Sequence, residues 1–185
     1  SINCFNIIGE DLLITGAGPI GLISVAICKF IKAKNIVITD INDYRLNLAK
    51  QLGATKTINT KKDSIKNCFD ELNIKHGFDI GLEMSGNGQA FNEMLSSIYH
   101  GGKIVLLGLL PKSTCIDWDN IIFKGLQVRG VYGREMYETW YKMDQLIKSG
   151  LDLSKVITHK FSISSFDEAF KVISSGQCGK VIMEW

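Results

Sequence analysis

The sequence predicts an α/β fold: a doubly wound, six-stranded parallel sheet with a small C-terminal α+β segment beside it. Three observations carry this expectation. Apolar, β-branched runs of strand length alternate with amphipathic stretches of helix length between residues 12 and 133. The first run, Leu12 to Thr15, enters a glycine turn, Gly16-Ala17-Gly18-Pro19-Ile20-Gly21, and passes at once into an apolar helical pattern. The second run, Asn35 to Asp40, closes on an acid 22 positions after Gly18. Alternating strands and helices lay successive strands parallel, because each return crosses a face of the sheet.

Each element follows from local chemistry. Residues 1–11, with apolar Ile2, Phe5, Ile7 and Ile8, read as a lead-in from a preceding part of a longer chain. After the first strand, a helix is predicted over 19–32 and a strand over 35–39. A helix over 43–52 carries Tyr44, Leu48 and Leu52 at four-residue spacing and is closed by Gly53. A short strand over 56–59 precedes a helical pattern of Ile65, Phe69 and Leu72 ending near Asn73. The second half begins with a strand over 78–84, which turns at Ser85-Gly86 into a helix over 89–99. Gly101-Gly102 break that helix before the apolar strand 103–108, and Leu126 to Tyr132 make a sixth strand. Beyond Gly133 a helix over 135–149, a strand over 156–161, a helix over 166–174 and a strand over 180–185 form the C-terminal segment.

The glycine spacing has a chemical reason. Gly16 permits the sharp reversal, Gly18 carries no Cβ to keep a diphosphate from the backbone, and Gly21 lets helix and strand pack closely. Pro19 suits the first helical turn, where its missing N–H costs nothing, and the remaining amides and the positive helix end face the ligand. Asp40 stands where a ribose-binding carboxylate belongs in a dinucleotide site. Gly108 ends its strand where a cofactor could approach the backbone. An S-adenosylmethionine methyltransferase also pairs a glycine turn with an acid. That class is disfavoured by strand signals that all read parallel, with no reversed terminal hairpin. A non-catalytic module sensing the NAD(H) ratio is a third reading.

Composition bounds the rest. With 21 Lys and Arg against 19 Asp and Glu, the net charge is +2, which implies neither nucleic acid nor membrane as partner. The apolar runs are broken before the roughly 18 residues a membrane helix needs, and no leader pattern opens the chain, so a cytoplasmic protein is expected. The five cysteines are scattered without a CxxC pair, and His76, His100 and His159 stand apart, so no metal site is expected within this chain.

The strings GAGPIG, VITD, GFDIGLEMSG, GGKIVLLGL and GREMYETWYKM, with the ending FDEAFKVISSGQCGKVIMEW, resemble the zinc-dependent medium-chain alcohol dehydrogenases across essentially the whole chain. ITDINDYRL, GLEMSG and GREMYETW are similar to the L-threonine-oxidising branch. The resemblance implies oxidation of the threonine 3-hydroxyl to 2-amino-3-oxobutanoate with hydride passed to NAD+; another polyol or alcohol dehydrogenase of the family is the alternative. It assigns Gly16, Gly18, Ile20, Gly21, Asp40 and Arg45 to the adenosine and diphosphate side, and Leu107, Gly108, Leu109, Val131 and Tyr132 to the nicotinamide side. Arg45 would stack on adenine or pair with Asp40. It further implies a lead-in over 1–11, an NAD-binding domain over 12–133 and a return over 134–185 into a catalytic domain. That domain would carry the zinc of the full-length enzyme, leaving no catalytic residue here. A homotetramer is implied, with the sixth strand exposed for pairing.

Overall fold

The computed structural model describes residues 2–133 and 135–185; Ser1 of the lead-in and Arg134 of the GREMYETW string lie outside the described residues. In chain order the elements are β1 (Asp11–Thr15), α1 (Pro19–Phe30), β2 (Asn35–Asp40), α2 (Asp43–Gln51), β3 (Lys56–Asn59), α3 (Cys68–Glu71), β4 (Phe78–Glu83), α4 (Gly88–Ser97), β5 (Ile98–Leu106), α5 (Trp118–Phe123) and β6 (Gln127–Gly130). These are followed by α6 (Glu138–Lys148), β7 (Ile157–Ser162), α7 (Phe166–Ser175) and β8 (Lys180–Glu184).

The six strands form one sheet in the order β3-β2-β1-β4-β5-β6, and every pairing is parallel. The chain leaves the sheet at β3 and re-enters at β4 beside β1. The carboxyl ends of β1 and β4 therefore flank the switch point, the usual place for a ligand crevice in an open α/β sheet. Alternation along the strands divides the core. Leu12, Ile14, Ile36 and Ile38 pack on the α1 and α2 side, whereas Leu13, Val37 and Ile104 pack on the α4 side. Burial on both faces explains the continuous apolar strands.

The structure redraws several boundaries. The helix expected to reach Tyr99 ends at Ser97, and Ile98 begins β5, extended at φ −78° and ψ 143°. The Nζ of Lys124 ends this helix from across the fold, donating to the carbonyls of Leu95 and Ser96 at 2.8 Å and of Ile98 at 3.1 Å. The helix expected over Ile65 to Asn73 is a 3-10 turn, Ile65–Asn67, followed by the single turn of α3, and Asn73 then turns left-handed at φ 55°. A stretch this short has little helical stability of its own. Helix α5 lies in a region with no predicted element; Asp117 caps it. α6 starts at Glu138, because Tyr137 takes φ 67° just before it. β7 and β8 form a separate parallel pair joined by α7. No helix among the described residues is long and apolar enough to cross a membrane.

Candidate dinucleotide site

The glycine elbow joins β1 to α1. Gly16 takes φ +88°, where any Cβ would be strained and would stand 2.9 Å from the Ser85 Cα. Its amide donates to the Thr39 carbonyl at 2.8 Å, drawing the elbow against the end of β2. A Cβ on Gly21 would overlap the Gly16 carbonyl oxygen, so this glycine sets the close seat of α1 on the turn. Gly18 differs: its backbone is ordinary, at φ −66° and ψ 178°, and nothing lies within 4 Å of the position its Cβ would take. Neither backbone strain nor crowding therefore requires a glycine at 18. Pro19 occupies the first turn, and Leu22 N closes on the Gly18 carbonyl at 2.9 Å. The amides of Ile20 and Gly21 stand at the positive end of α1, without intrahelical partners.

Asp40 ends β2 beside this elbow. Its Oδ2 accepts from Ala17 N at 2.6 Å, and its Oδ1 accepts from Ile41 N at 2.7 Å and Asn42 N at 2.9 Å. Three backbone donors fix the carboxylate in one orientation and leave further lone-pair capacity on Oδ2. The neighbouring Asn42 caps α2, its Oδ1 accepting from Tyr44 N and Arg45 N, while its Nδ2 donates to the Gly176 carbonyl at 3.0 Å. The C-terminal segment is thereby tied to the loop that follows Asp40.

Gly16, Gly18, Asp40 and Arg45 line one cavity of about 500 Å³, with Thr60, Lys61, Met84 and Ser85 on its other walls. Arg45 is half-buried, and its Nε has no hydrogen-bond partner among the described residues. The pairing with Asp40 expected as one role for Arg45 is not formed; the carboxylate is already held by backbone amides. The open face at Gly18, the fixed carboxylate and the guanidinium on the cavity wall fit the adenosine diphosphate half of a dinucleotide.

The remaining predicted residues do not line this cavity. Ile20 is exposed on α1 and Gly21 is buried beneath it. Leu107, Gly108 and Leu109 follow β5, with the amides of Leu107 and Gly108 both donating to the Glu83 carbonyl at 3.1 Å. Leu109 is 87% exposed and Tyr132 99% exposed, so neither is core. Val131 N bonds the Leu106 carbonyl at 2.8 Å, and Val131 and Tyr132 border a different cavity of about 600 Å³. The Cβ side of Gly108 is filled from within, since a Cβ there would overlap Glu83 Oε2 and the Gly86 amide, while the residue itself is partly exposed.

Glu83 itself was not singled out in the sequence, although an acid at the end of an apolar strand and just before Ser85-Gly86 is a signal. It is fully buried. Among the described residues, no group of three or more His, Cys, Asp or Glu side chains is arranged to hold a metal ion, so the donor set present does not fit zinc. The cysteines are free thiols.

Comparison with known proteins bears on this geometry. The family model described as zinc-binding dehydrogenase matches residues 19–149. The chain is 57% identical over 181 residues to an L-threonine 3-dehydrogenase of Chromobacterium violaceum, covering 98% of this chain and 53% of the relative. It is 54% identical over 181 residues to that of Burkholderia thailandensis, with the same coverage. The chain thus spans about half the length of the curated relatives it matches. Among solved structures, a short chain alcohol dehydrogenase of Escherichia coli CFT073 complexed with NADH superposes with a TM-score of 0.84 at 26% identity, covering 96% of this chain and 52% of that one. Benzyl alcohol dehydrogenase of Acinetobacter calcoaceticus superposes with a TM-score of 0.87 at 23% identity, covering 98% and 51%, a likeness of fold.

Proposed function

The chain belongs to the zinc-binding dehydrogenase family, and from that premise we propose that it is the NAD-binding half of an enzyme oxidising the 3-hydroxyl of L-threonine to 2-amino-3-oxobutanoate. The observation that carries the reading is Asp40, held by three backbone amides beside a glycine elbow whose Gly18 face stands open. Bound NAD+ supplies a hydride acceptor. The chain's own residues bind and orient it. Asp40 accepts from the adenosine ribose hydroxyls and repels a 2′-phosphate, which selects NAD over NADP. Arg45, on the cavity wall, offers its guanidinium to the same ribose edge, and the amides of Ile20 and Gly21 at the end of α1, reached across Gly18, take the diphosphate. Leu107, Gly108, Leu109, Val131 and Tyr132 form the nicotinamide wall. Holding the reacting carbon in place is this half's contribution, and orientation of that kind lowers barriers by roughly 7 to 11 kcal/mol in favourable cases.

In this reading residues 12–133 are the cofactor domain, 1–11 the lead-in and 134–185 the return into the catalytic domain. Zinc is held outside this chain, so the chain alone binds NAD(H) without turning over threonine. The protein is cytoplasmic and homotetrameric. The β6 edge, exposed from Gln127 to Gly130, supports pairing between copies. Titration with NADH, NADPH and S-adenosylmethionine, followed through Trp118, Trp140 and Trp185, tests the reading. Saturable quenching by NADH, with NADPH at least tenfold weaker, is the expected result. No response to millimolar NADH, or a preference for S-adenosylmethionine, would overturn it. With zinc and threonine added at saturating NAD+, no appreciable NADH should form.

A further inference from the structure

Glu83, at the carboxyl end of β4, is fully buried, yet four donors converge on one of its oxygens and none reaches the other. Oε1 accepts from Ser85 N at 2.8 Å, Gly86 N at 3.0 Å, Thr15 Oγ1 at 3.3 Å and, closest, Ser85 Oγ. Oε2 has no hydrogen-bond partner among the described residues and sits against the Cα of Gly108, where a Cβ would overlap it. A buried carboxylate left half-satisfied is costly, so its retention calls for a role beyond filling space.

We propose that Glu83 is a positioning residue for the nicotinamide half of the cofactor, an inference that rests on the NAD-binding reading above. The carboxylate ties the Ser85-Gly86 turn down with Oε1, and its Oε2 is the floor on which Gly108 rests. Gly86 in turn touches Leu109, whose carbonyl oxygen lies 2.9 Å from where a Gly86 Cβ would stand. The 107–109 loop is therefore held over the sheet by one residue in two ways, through the Glu83 carbonyl that accepts from the Leu107 and Gly108 amides and through the carboxylate that fills the space beneath Gly108. The elbow meets that side chain only at its edge, through Thr15 Oγ1, the longest of the four bonds to Oε1, and through Gly16 packing on Ser85. Its own bonds, Gly16 N to Thr39 O, Ala17 N to Asp40 Oδ2 and Leu22 N to Gly18 O, run to β2 and α1. Removing the carboxylate thus lets the nicotinamide wall sink into the vacated space while the diphosphate seat stays in place.

The prediction is a split between two ligands that differ only in the nicotinamide ring. Glu83→Ala, or Glu83→Thr should the alanine chain not fold, is compared with the unaltered chain for binding of NADH and of ADP-ribose by calorimetry, together with the emission of bound NADH. We expect NADH to bind at least tenfold more weakly, ADP-ribose to change less than threefold, and the NADH emission to shift toward that of free NADH. Equal losses for both ligands, no loss for either, or an unaltered chain that binds both ligands equally well would overturn the assignment. Failure of the unaltered chain to bind either ligand would instead refute the NAD-binding reading beneath it.

Discussion

Gly18→Ala separates a turn built for a ligand from a turn built for itself. At φ −66° and ψ 178° alanine is unstrained, and its Cβ meets no atom within 4 Å. Alanine is a poorer helix cap than glycine by about 1 kcal/mol, and the stiffer unfolded chain returns about 0.4 to 1 kcal/mol. The net change is near zero, about 2 °C or less in Tm. The added methyl stands where a diphosphate must approach the amides of Ile20 and Gly21. Loss of one charge-assisted hydrogen bond, about 1.5 to 3 kcal/mol, weakens NADH binding roughly 10- to 150-fold. Gly21→Ala is the contrast, since its Cβ would overlap the Gly16 carbonyl oxygen; overpacking of that kind costs about 1 to 3 kcal/mol. Calorimetry with NADH and thermal melts of both variants make the test. Gly18→Ala that binds NADH within twofold of the unaltered chain, or that melts as early as Gly21→Ala, would refute the reasoning.

Other outcomes follow from the same contacts. Asp40→Ala removes the acceptor for the Ala17, Ile41 and Asn42 amides as well as for ribose, so NADH affinity should fall by about 1.5 to 3 kcal/mol; unchanged affinity by calorimetry would remove Asp40 from the site. Lys124→Met deletes three bonds to the end of α4. Solvent replaces part of that loss, and the chain should lose about 1.5 to 3 kcal/mol and melt roughly 3 to 12 °C lower, against which an unchanged melt would count. Burial pushes the Cys28 thiol up to about 12 and Cys68 to about 11, while Cys115 is exposed; peptide mapping after brief alkylation at pH 8 should show modification at Cys115 and none at Cys28 or Cys68. Burial, then the charge of and a hydrogen bond with Asp79, raise Glu10 above its ordinary 4.5. The folded chain thus holds that proton more tightly than the unfolded chain, and its stabilising contribution is lost as pH rises through the raised value. Glu10→Gln should gain stability relative to the unaltered chain across that window, seen as diverging denaturation midpoints; parallel pH profiles would exclude Glu10 as the cause.

Most of the sheet was legible because its signals are local. Leu12 to Thr15 and Asn35 to Asp40 are too apolar and β-branched for anything but buried strands, and Gly16 at φ +88° has the conformation its place in the motif demands. Errors gather where the deciding partner is distant in the chain. α4 stops at Ser97 because Lys124 meets its last carbonyls from up to 29 residues away. α5 has six residues, too few to show a period. At Gly108 the close contact on the Cβ side is with Glu83 from the neighbouring strand, a partner 25 positions away.

From the sequence alone came the order of the strands, the glycine elbow and the acid beside it, since backbone conformation and side-chain period are properties of neighbours along the chain. Only the tertiary structure decided that Asp40 is clamped by three amides, that Asn42 ties the C-terminal turn to the site over 134 positions, and that Glu83 lies beneath the loop after β5. Those are contacts between segments, and a hydrogen bond between residues far apart leaves no periodic trace in the order of amino acids.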